Sequence, residues 1–253
     1  MAVTWAFRKN NTASSDQLIG QNKKTTAIIE LNDVTKIYQT AAGGFPALNR
    51  VSASFKAGEF AGIIGKSGAG KSTLVNMITG VDHLNAGEIW VDQVPVHSLD
   101  EDQMALWRGK NVGVVYQSFE LMPTLSLVDN ILLPMDFCDL YKPRESQDRA
   151  MHLLEMVELE DHAFKVPSAV SGGQRQRAAI ARALANDPDV IVADEPTGNL
   201  DSATAETIFE VFENLVDAGK TIIMVTHDQN LSSRFTHLLN IADGQIISDN
   251  RKT

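Results

Sequence analysis

The sequence predicts an α/β fold in which buried strands alternate with helices, and three observations support this. A glycine-rich loop at residues 65–73 lies between two apolar segments, as in a strand–loop–helix unit. Two later runs, residues 190–193 and 221–225, are apolar without alternation, which is typical of parallel strands covered on both faces. The segment between these runs has apolar residues at helical spacing: Ile208, Val211, Phe212 and Leu215.

The segments before and just after the loop predict further elements. Short β-type runs at residues 28–31, 34–38 and 47–55 are bounded by turn residues and predict an antiparallel sheet. After the loop, residues 86–92 predict another strand. Ser98 and Glu101 predict a capping box that opens a helix through about Trp107.

The second half continues this pattern. Residues 112–116 predict a buried strand, and the segment from about 125 to 169 reads as a compact helical insertion between two α/β halves. Ser171 is predicted to open an alanine-rich helix that ends near residue 185. Residues 238–247, around a turn at 242–244, predict a closing hairpin. Residues 1–25 are polar and aperiodic, and we expect a flexible leader there.

Composition narrows the class of protein. Of 253 residues, 43% are hydrophobic and 21% are charged, which is ordinary for a soluble globular protein with a sizeable core. The net charge of −10 disfavours binding to nucleic acid through a basic surface. The single cysteine, Cys138, favours a reducing compartment and is predicted to be buried. No apolar run is long enough for a membrane-spanning helix, so we expect a cytoplasmic protein.

The loop at residues 65–73 carries the strongest chemical signal. Its sequence GKSGAGKST has Gly65, Gly70, Lys71 and Ser72 at the spacing G-x-x-x-x-G-K-[ST]. Glycines let backbone N–H groups point at phosphate oxygens, and the following helix adds its positive end. An ordinary glycine-rich turn is the alternative, but the flanking strand and helix disfavour it. The loop therefore predicts a nucleotide-binding protein.

Two other constellations extend this site. Asp194 and Glu195 come at the end of a buried strand, where carboxylates are suited to hold Mg²⁺ and to act on an attacking water. Alone, such a pair is more often a solvated turn. Ser171, followed by two glycines and a helix, predicts a second anion site. One nucleotide does not need both the phosphate-binding loop at residues 65–73 and a second anion site at Ser171. This suggests that two chains share two nucleotides.

Together these motifs resemble the nucleotide-binding subunit of an ABC transporter over about residues 27–248. GKSGAGKS matches Walker A, VIVADE is similar to Walker B, and VSGGQ resembles the family signature with Val170 where leucine is usual. Gln117 falls at the Q-loop and Asp201, in GNLD, at the D-loop. His227, in VTHD, falls at the switch histidine, and Tyr38 at the aromatic position that stacks on adenine. Seven motifs in the family order make the resemblance specific.

The resemblance implies an ABC-type P-loop NTPase fold with a mixed central sheet, an antiparallel β subdomain and an inserted α-helical subdomain. The ATPase domain is expected over residues 26–250, with the helical subdomain over about 118–180 inserted in the RecA-like core. The stretches QSFELMPTLSLVDNILLP and DEPTGNLDSATAETI resemble the ATPases of lipoprotein-releasing, macrolide-exporting and cell-division systems. Glu120 stands where that branch is expected to have asparagine.

The same resemblance implies ATP and Mg²⁺ as cofactors. Glu195 is expected to act on the attacking water, while His227 and Gln117 position the phosphate and the metal. Ser72, Gln117 and Asp194 are expected to hold Mg²⁺. The residues expected to bind the nucleotide are Tyr38, Gly65, Lys66, Ser67, Gly68, Ala69, Gly70, Lys71, Ser72, Thr73, Ser171, Gly172, Gly173, Gln174 and Asp201.

The implied partners are a second copy of the chain and an integral membrane permease. Two copies are expected to form an ATP-sandwich dimer, with residues 171–174 of one copy closing over the γ-phosphate on the other. The permease is expected to dock near residues 117–124 and the helical insertion, which would make the protein peripheral on the cytoplasmic face of the membrane. The complex of the protein with its permease would carry out export or mechanical signalling across the membrane. No nucleic-acid partner is expected.

Two alternatives remain. A soluble ABC ATPase of DNA repair or translation usually carries coiled-coil, zinc or tandem-cassette insertions, and this sequence shows none. An unrelated phosphate-loop kinase or GTPase is disfavoured by VSGGQRQR, by Glu195 and by the lack of a guanine-reading NKxD sequence.

Overall fold

The computed structural model describes residues 27–41 and 43–252, so the predicted leader and Ala42 of the predicted turn lie outside the described residues. The strands of this part are β1 (Ala27–Thr40), β2 (Gly43–Lys56), β3 (Phe60–Ile64), β4 (Ala86–Val91), β5 (Val94–Pro95), β6 (Val112–Val115), β7 (Val190–Asp194), β8 (Thr221–Thr226), β9 (His237–Ala242) and β10 (Gln245–Arg251). The helices are α1 (Lys71–Ile78), α2 (Glu101–Asn111), α3 (Leu127–Phe137), α4 (Pro143–Met156), α5 (Gly172–Ala183) and α6 (Ser202–Asp217).

A six-stranded mixed sheet forms the centre, with the order β10-β9-β3-β8-β7-β6. Strands β9, β3, β8, β7 and β6 are parallel, and β10 pairs antiparallel with β9, which confirms the predicted hairpin. Alternate residues of the buried strands serve two core layers: Ile191 and Ala193 belong to one, Val190 and Val192 to the other. This two-sided burial explains why β7 shows no polar alternation in the sequence.

The second sheet is antiparallel, with the order β2-β1-β4-β5. The runs predicted at 28–31 and 34–38 form one continuous strand, because an irregularity in pairing between Leu31 and Val34 absorbs the polar residues between them. Asp33, in that irregularity, has a φ of 49°, and its backbone N–H donates to the Ser52 hydroxyl at 2.9 Å. The predicted break is therefore a local bulge.

Helices α3 and α4 lie between β6 and β7 in the chain and pack with α5 and α6 on one face of the central sheet. Leu127, Ile131 and Leu154 of these helices are fully buried. Ser171 caps α5, as predicted, through a capping box with Gln174. Cys138 is buried and free, as predicted, and burial raises the pKa of its thiol above the usual value.

The predicted capping box at Ser98 is wrong. The box is formed by Asp100 and Gln103, each of which binds the backbone N–H of the other, and α2 continues beyond the predicted Trp107 to Asn111. Ser98 instead ends a short 3-10 helix, and its hydroxyl donates to the Pro95 carbonyl at 2.8 Å. A hydroxyl bonded to the preceding turn does not cap the next helix.

Candidate functional site

The glycine-rich loop leaves the C-terminal end of β3 and leads directly into α1, as predicted. Gly70 caps α1 with a φ of 104°, and a Cβ at this position would lie 2.6 Å from the Ala47 carbonyl oxygen, so the position requires glycine. Lys71 is nearly buried, and its Nζ donates to the carbonyl oxygens of Gly65 and Lys66 at 2.9 and 3.1 Å. The loop thus holds a fixed cation beside the helix N-terminus, which suits it to bind phosphate.

The acidic pair lies beside this cation. Asp194 ends β7, and Glu195 follows with a φ of 47°, an unusual conformation for a residue other than glycine. The backbone N–H of Glu195 donates to the Val225 carbonyl of the neighbouring β8 at 2.9 Å, which fixes the bend. Oε1 of Glu195 is 3.9 Å from Nζ of Lys71. The chain therefore turns at Glu195 so that its carboxylate faces the phosphate loop.

Asp194 has the features of a metal ligand. Burial raises the pKa of its carboxyl above the usual value; a hydrogen bond from Ser72 opposes this shift, and the charge of Glu195 adds to it. Its Oδ1 is buried and has no hydrogen-bond partner. A buried carboxylate oxygen without a donor, next to a serine hydroxyl, fits a hard divalent cation such as Mg²⁺, which prefers oxygen ligands.

His227 adjoins the acidic pair from the next strand. It follows β8, and its Nδ1 lies 2.9 Å from Oε2 of Glu195. The two carboxylate oxygens of Glu195 thus face different cationic or donor groups, Lys71 on one side and His227 on the other. This pairing orients Glu195 without burying His227, whose side chain is 63% exposed.

Most of the predicted site residues surround one open pocket of about 430 Å³. The predicted residues on its wall are Tyr38, Ser67, Gly68, Gly70, Lys71, Ser72, Thr73, Gln117, Asp194 and Glu195. Gly65, Lys66 and Ala69 form the base of the loop: the first two accept from Lys71, and the Ala69 carbonyl accepts from the Gly244 N–H at 3.0 Å. A second pocket of about 350 Å³ shares Glu195 and contains His227.

The predicted signature residues do not line the 430 Å³ pocket at the phosphate loop. Ser171 and Gln174 cap α5, and a Cβ on Gly173 would lie 2.3 Å from Cγ2 of Thr204 on α6, which gives this glycine a packing reason. Asp201 caps α6: its Oδ1 accepts from the Thr204 N–H at 3.0 Å, and its Oδ2 accepts from the Thr204 hydroxyl at 2.7 Å. Within one chain these residues cap and pack the ends of α5 and α6, outside the pocket of the phosphate loop.

Gln117 reaches the pocket from the end of β6. A Cβ on Gly198 would be 3.0 Å from Nε2 of Gln117 and 3.6 Å from Oε2 of Glu195, so both side chains crowd the same point. The two residues that follow shortly after, Phe119 and Glu120, have φ values of 65° and 49°. This segment is therefore bent sharply between the pocket and the outer surface.

Sequence reasoning missed the residues that hold the bent segment and the pocket wall. Arg182 of α5 donates to the carbonyl oxygens of Phe119 and Glu120, and the guanidinium of Arg175 lies 5.2 Å from the Phe119 ring centroid. Phe45 lines the nucleotide pocket beside Tyr38. The arginines on α5 were the only sequence signal for the contacts to the bent segment. The carbonyl groups that Arg182 binds lie about 60 residues earlier in the chain, so sequence spacing does not reveal them.

The comparisons with known proteins agree with this geometry. A family model described as ABC transporter matches residues 48–198. An uncharacterized ABC transporter ATP-binding protein of Methanocaldococcus jannaschii, MJ0796, is 41% identical over 87% of this chain and 95% of its own length. The chain belongs to the ABC transporter family.

Further relatives and a solved structure place it more closely. The lipoprotein-releasing system ATP-binding protein LolD 1 of Chlorobium chlorochromatii is 42% identical over 79% of this chain and 81% of its own length. The macrolide export ATP-binding/permease protein MacB of Syntrophobacter fumaroxidans is 40% identical over 87% of this chain, which spans 31% of that longer protein. A dimeric post-hydrolysis structure of MJ0796 bound to ADP and Pi matches with a TM-score of 0.82 at 39% identity, covering 88% of this chain and 98% of that one.

This ABC ATPase therefore has the ABC-type P-loop NTPase fold, with a mixed sheet, an antiparallel β sheet and helices, and it resembles the MJ0796, LolD and MacB branch. It is an ATP-binding protein of an ABC transporter. Within residues 27–41 and 43–252, none of the helices combines the length and apolar character that crossing a bilayer requires.

Proposed function

We propose that this ABC ATPase pairs with a second copy around two ATP molecules and drives a separate transmembrane permease of the lipoprotein- or macrolide-export type, or one that signals mechanically. The observation that carries the proposal is the division of the site. Lys71, Asp194 and Glu195 line the pocket, whereas the capped end of α5 at Ser171 does not. A second copy would supply that end. The dimeric structure of the relative MJ0796 supports this arrangement.

The residues of the pocket divide the work of hydrolysis. Lys71 and the backbone N–H groups of the loop bind the ATP phosphates. Oε1 of Glu195, which His227 does not engage, accepts a proton from the attacking water as its oxygen bonds to the γ-phosphorus and ADP leaves. His227 holds Glu195 through Oε2 and, with Gln117, orients the γ-phosphate.

Ser72, Gln117 and Asp194 would hold Mg²⁺. When bound, this ion neutralises developing phosphate charge. The unpartnered Oδ1 of Asp194 supports this ligand set. Asp201 and Ser171–Gln174 are proposed to act on the nucleotide of the second copy, with their caps keeping the ends of α6 and α5 in place.

A groove of about 760 Å³ supports docking of the permease beside the bent segment at residues 117–124. Its wall includes exposed apolar side chains, namely Leu106, Met122 and Phe137, of which Phe137 is 73% exposed. Contiguous exposed apolar surface is typical of protein interaction sites. Glu120 also lines the groove, while Arg182 beside it is engaged by backbone carbonyls, so a permease segment with apolar residues and a cation suits this surface.

The proposed domain organisation follows the sequence prediction, with the ATPase domain over residues 26–250 and the helical subdomain over about 118–180. Helices α3 and α4 and most of α5 fall in that subdomain. Docking at the groove would make the protein peripheral on the cytoplasmic face of the membrane.

The catalytic part of the proposal is tested with Glu195→Gln. We expect phosphate release to fall at least about 10²-fold, as for removal of a general base, while ATP now stabilises a dimer visible by light scattering. Glu210→Gln, an exposed glutamate on α6, is the matched control and should behave like the wild type. Normal hydrolysis by E195Q without an ATP-stabilised dimer would show that the mechanism is wrong.

The docking part is tested with two exposed phenylalanines. Phe137→Ser should abolish co-purification with a membrane-extracted permease and leave basal ATP hydrolysis unchanged, because Phe137 lines the groove and not the pocket. Phe164→Ser, 76% exposed and outside the groove, is the control and should retain the permease. Equal retention by both variants would exclude the groove as the docking site.

A further inference from the structure

A second aromatic side chain faces the nucleotide pocket beside Tyr38. Phe45 of β2 is the direct cross-strand partner of Tyr38 on β1, so both side chains point to the same face of the sheet. Both line the pocket, as does Ala47, two residues further along β2. Phe45 is 54% exposed. An aromatic ring left this open on a pocket wall offers a stacking surface for a flat ligand group.

The hydroxyl and the ring of Tyr38 are both fixed by neighbouring side chains. Its hydroxyl donates to Oδ2 of Asp82 at 2.9 Å. Nζ of Lys36 donates to Oδ1 of Asp82 and to the His83 carbonyl oxygen, both at 2.6 Å. The same ammonium group lies 4.9 Å from the centroid of the Tyr38 ring. Hydroxyl and ring are thus both fixed before a ligand arrives.

Lys36 and Asp82, which fix Tyr38, are also hydrogen-bonded to each other. Lys36 is only 9% exposed, so its charge depends on Asp82 for compensation. Burial raises the pKa of Asp82, but the hydrogen bonds from Lys36, Tyr38 and the His83 backbone outweigh it and hold that pKa below its usual value. With both carboxylate oxygens occupied, Asp82 orients Tyr38 and does not itself reach the ligand.

We propose that Phe45 and Tyr38 together form a two-aromatic platform for the base of the bound nucleotide, and that Asp82, with Lys36, is the positioning residue that fixes Tyr38 in it. This inference rests on the proposed nucleotide site. The platform recognises the flat face of the base and contributes nothing to the phosphates, which belong to the loop. Affinity should therefore depend on Phe45 only for ligands that carry a base.

The test compares ADP with inorganic pyrophosphate, which lacks the base, by titration calorimetry. Phe45→Ala should weaken ADP binding about tenfold, the scale of one lost stacking contact, and leave pyrophosphate binding within about twofold. Ile37→Ala is the control, because Ile37 lies in the same hairpin one residue before Tyr38 and hence on the opposite face. It should change neither affinity.

The positioning role has its own readout. Asp82→Asn and Tyr38→Phe should each weaken ADP binding severalfold without changing pyrophosphate binding, and the double variant should lose no more than either single one. Additive losses, or equal losses for the two probes, would overturn the role of Asp82. Unchanged ADP binding by F45A would overturn the platform alone. A wild-type protein that binds neither probe would overturn the nucleotide site and this inference with it.

Discussion

Nδ1 of His227 lies 2.9 Å from Oε2 of Glu195, although the two residues follow different strands. The parallel register of β7 and β8, in which Asp194 faces Val225, places both at the same sheet edge. An ionised carboxylate only accepts hydrogen bonds, so the contact requires a proton on Nδ1. An exposed histidine is thus held in one orientation, with its other ring nitrogen available to a substrate.

His227→Ala should therefore lower kcat without unfolding the protein. We expect phosphate release at saturating ATP to fall about 10²-fold, the scale of losing one positioned polar group in a transition state. Unfolding free energy should change by no more than about 0.5 kcal/mol, because the side chain is largely exposed. His152→Ala on α4, with a side chain 60% exposed, is the matched control. A kcat within about twofold of the wild type would contradict the assigned role.

Asp194→Asn should stabilise the metal-free protein while abolishing hydrolysis. The raised pKa of Asp194 means that the fold disfavours the charged carboxylate, so the wild type loses stability as pH rises through the folded pKa. The variant does not titrate there. With chelator present, we expect an advantage of about 1 kcal/mol at pH 7.5, or about 2–4 °C in Tm. The advantage should shrink as pH falls and vanish below about pH 3, under the ordinary pKa of an aspartate, and calorimetry across pH that shows a constant difference would contradict this.

Contiguous motifs were predictable because their geometry is local. The loop with Lys71 follows from spacing within one strand–turn–helix unit, and the serine cap of α5 follows from spacing within the first turn of its helix. The capping box at α2 failed because two overlapping boxes compete there, one starting at Ser98 and one at Asp100. Only the preceding short helix, which occupies the Ser98 hydroxyl, decides between them.

Contacts across the fold were not predictable from one sequence. Tyr38 meets Asp82 because β1 passes the end of α1, and no local spacing records that approach. The sequence did predict that the signature residues act on a second nucleotide, because one nucleotide does not need two phosphate-binding segments. The packing of Gly173 on Thr204 was not predictable, because it depends on how α5 meets α6. Such relationships need the tertiary arrangement.

Arg182→Ala should destabilise the protein by about 2–3 kcal/mol. Its half-buried guanidinium donates to the Phe119 and Glu120 carbonyl oxygens, and desolvation lowers its pKa. Truncation leaves both carbonyls without this charged donor. Arg50→Ala is the control: its side chain is 75% exposed, its contact with Asp33 spans 3.6 Å, and its loss should cost at most about 0.5 kcal/mol. Urea denaturation of both variants measures the difference, and similar midpoints would show that the arginine does not hold this segment.

Gly173→Ala should destabilise the contact between α5 and α6. The added Cβ would lie 2.3 Å from Cγ2 of Thr204, and overpacking of this kind costs about 1–3 kcal/mol. Thr204→Ser removes that methyl group but keeps the hydroxyl that Asp201 accepts from. The double variant should therefore regain most of the lost stability in thermal unfolding.

Gly173→Ala and the double variant with Thr204→Ser also show whether the glycine is needed for packing against α6 or for the nucleotide of the second copy. Because the new methyl group would point at α6 and away from the open end of α5, the double variant should regain ATP hydrolysis together with stability. T204S alone is the control and should retain both. Recovery of stability without hydrolysis would instead mean that Gly173 is required by the nucleotide of the second copy, whatever its neighbour on α6.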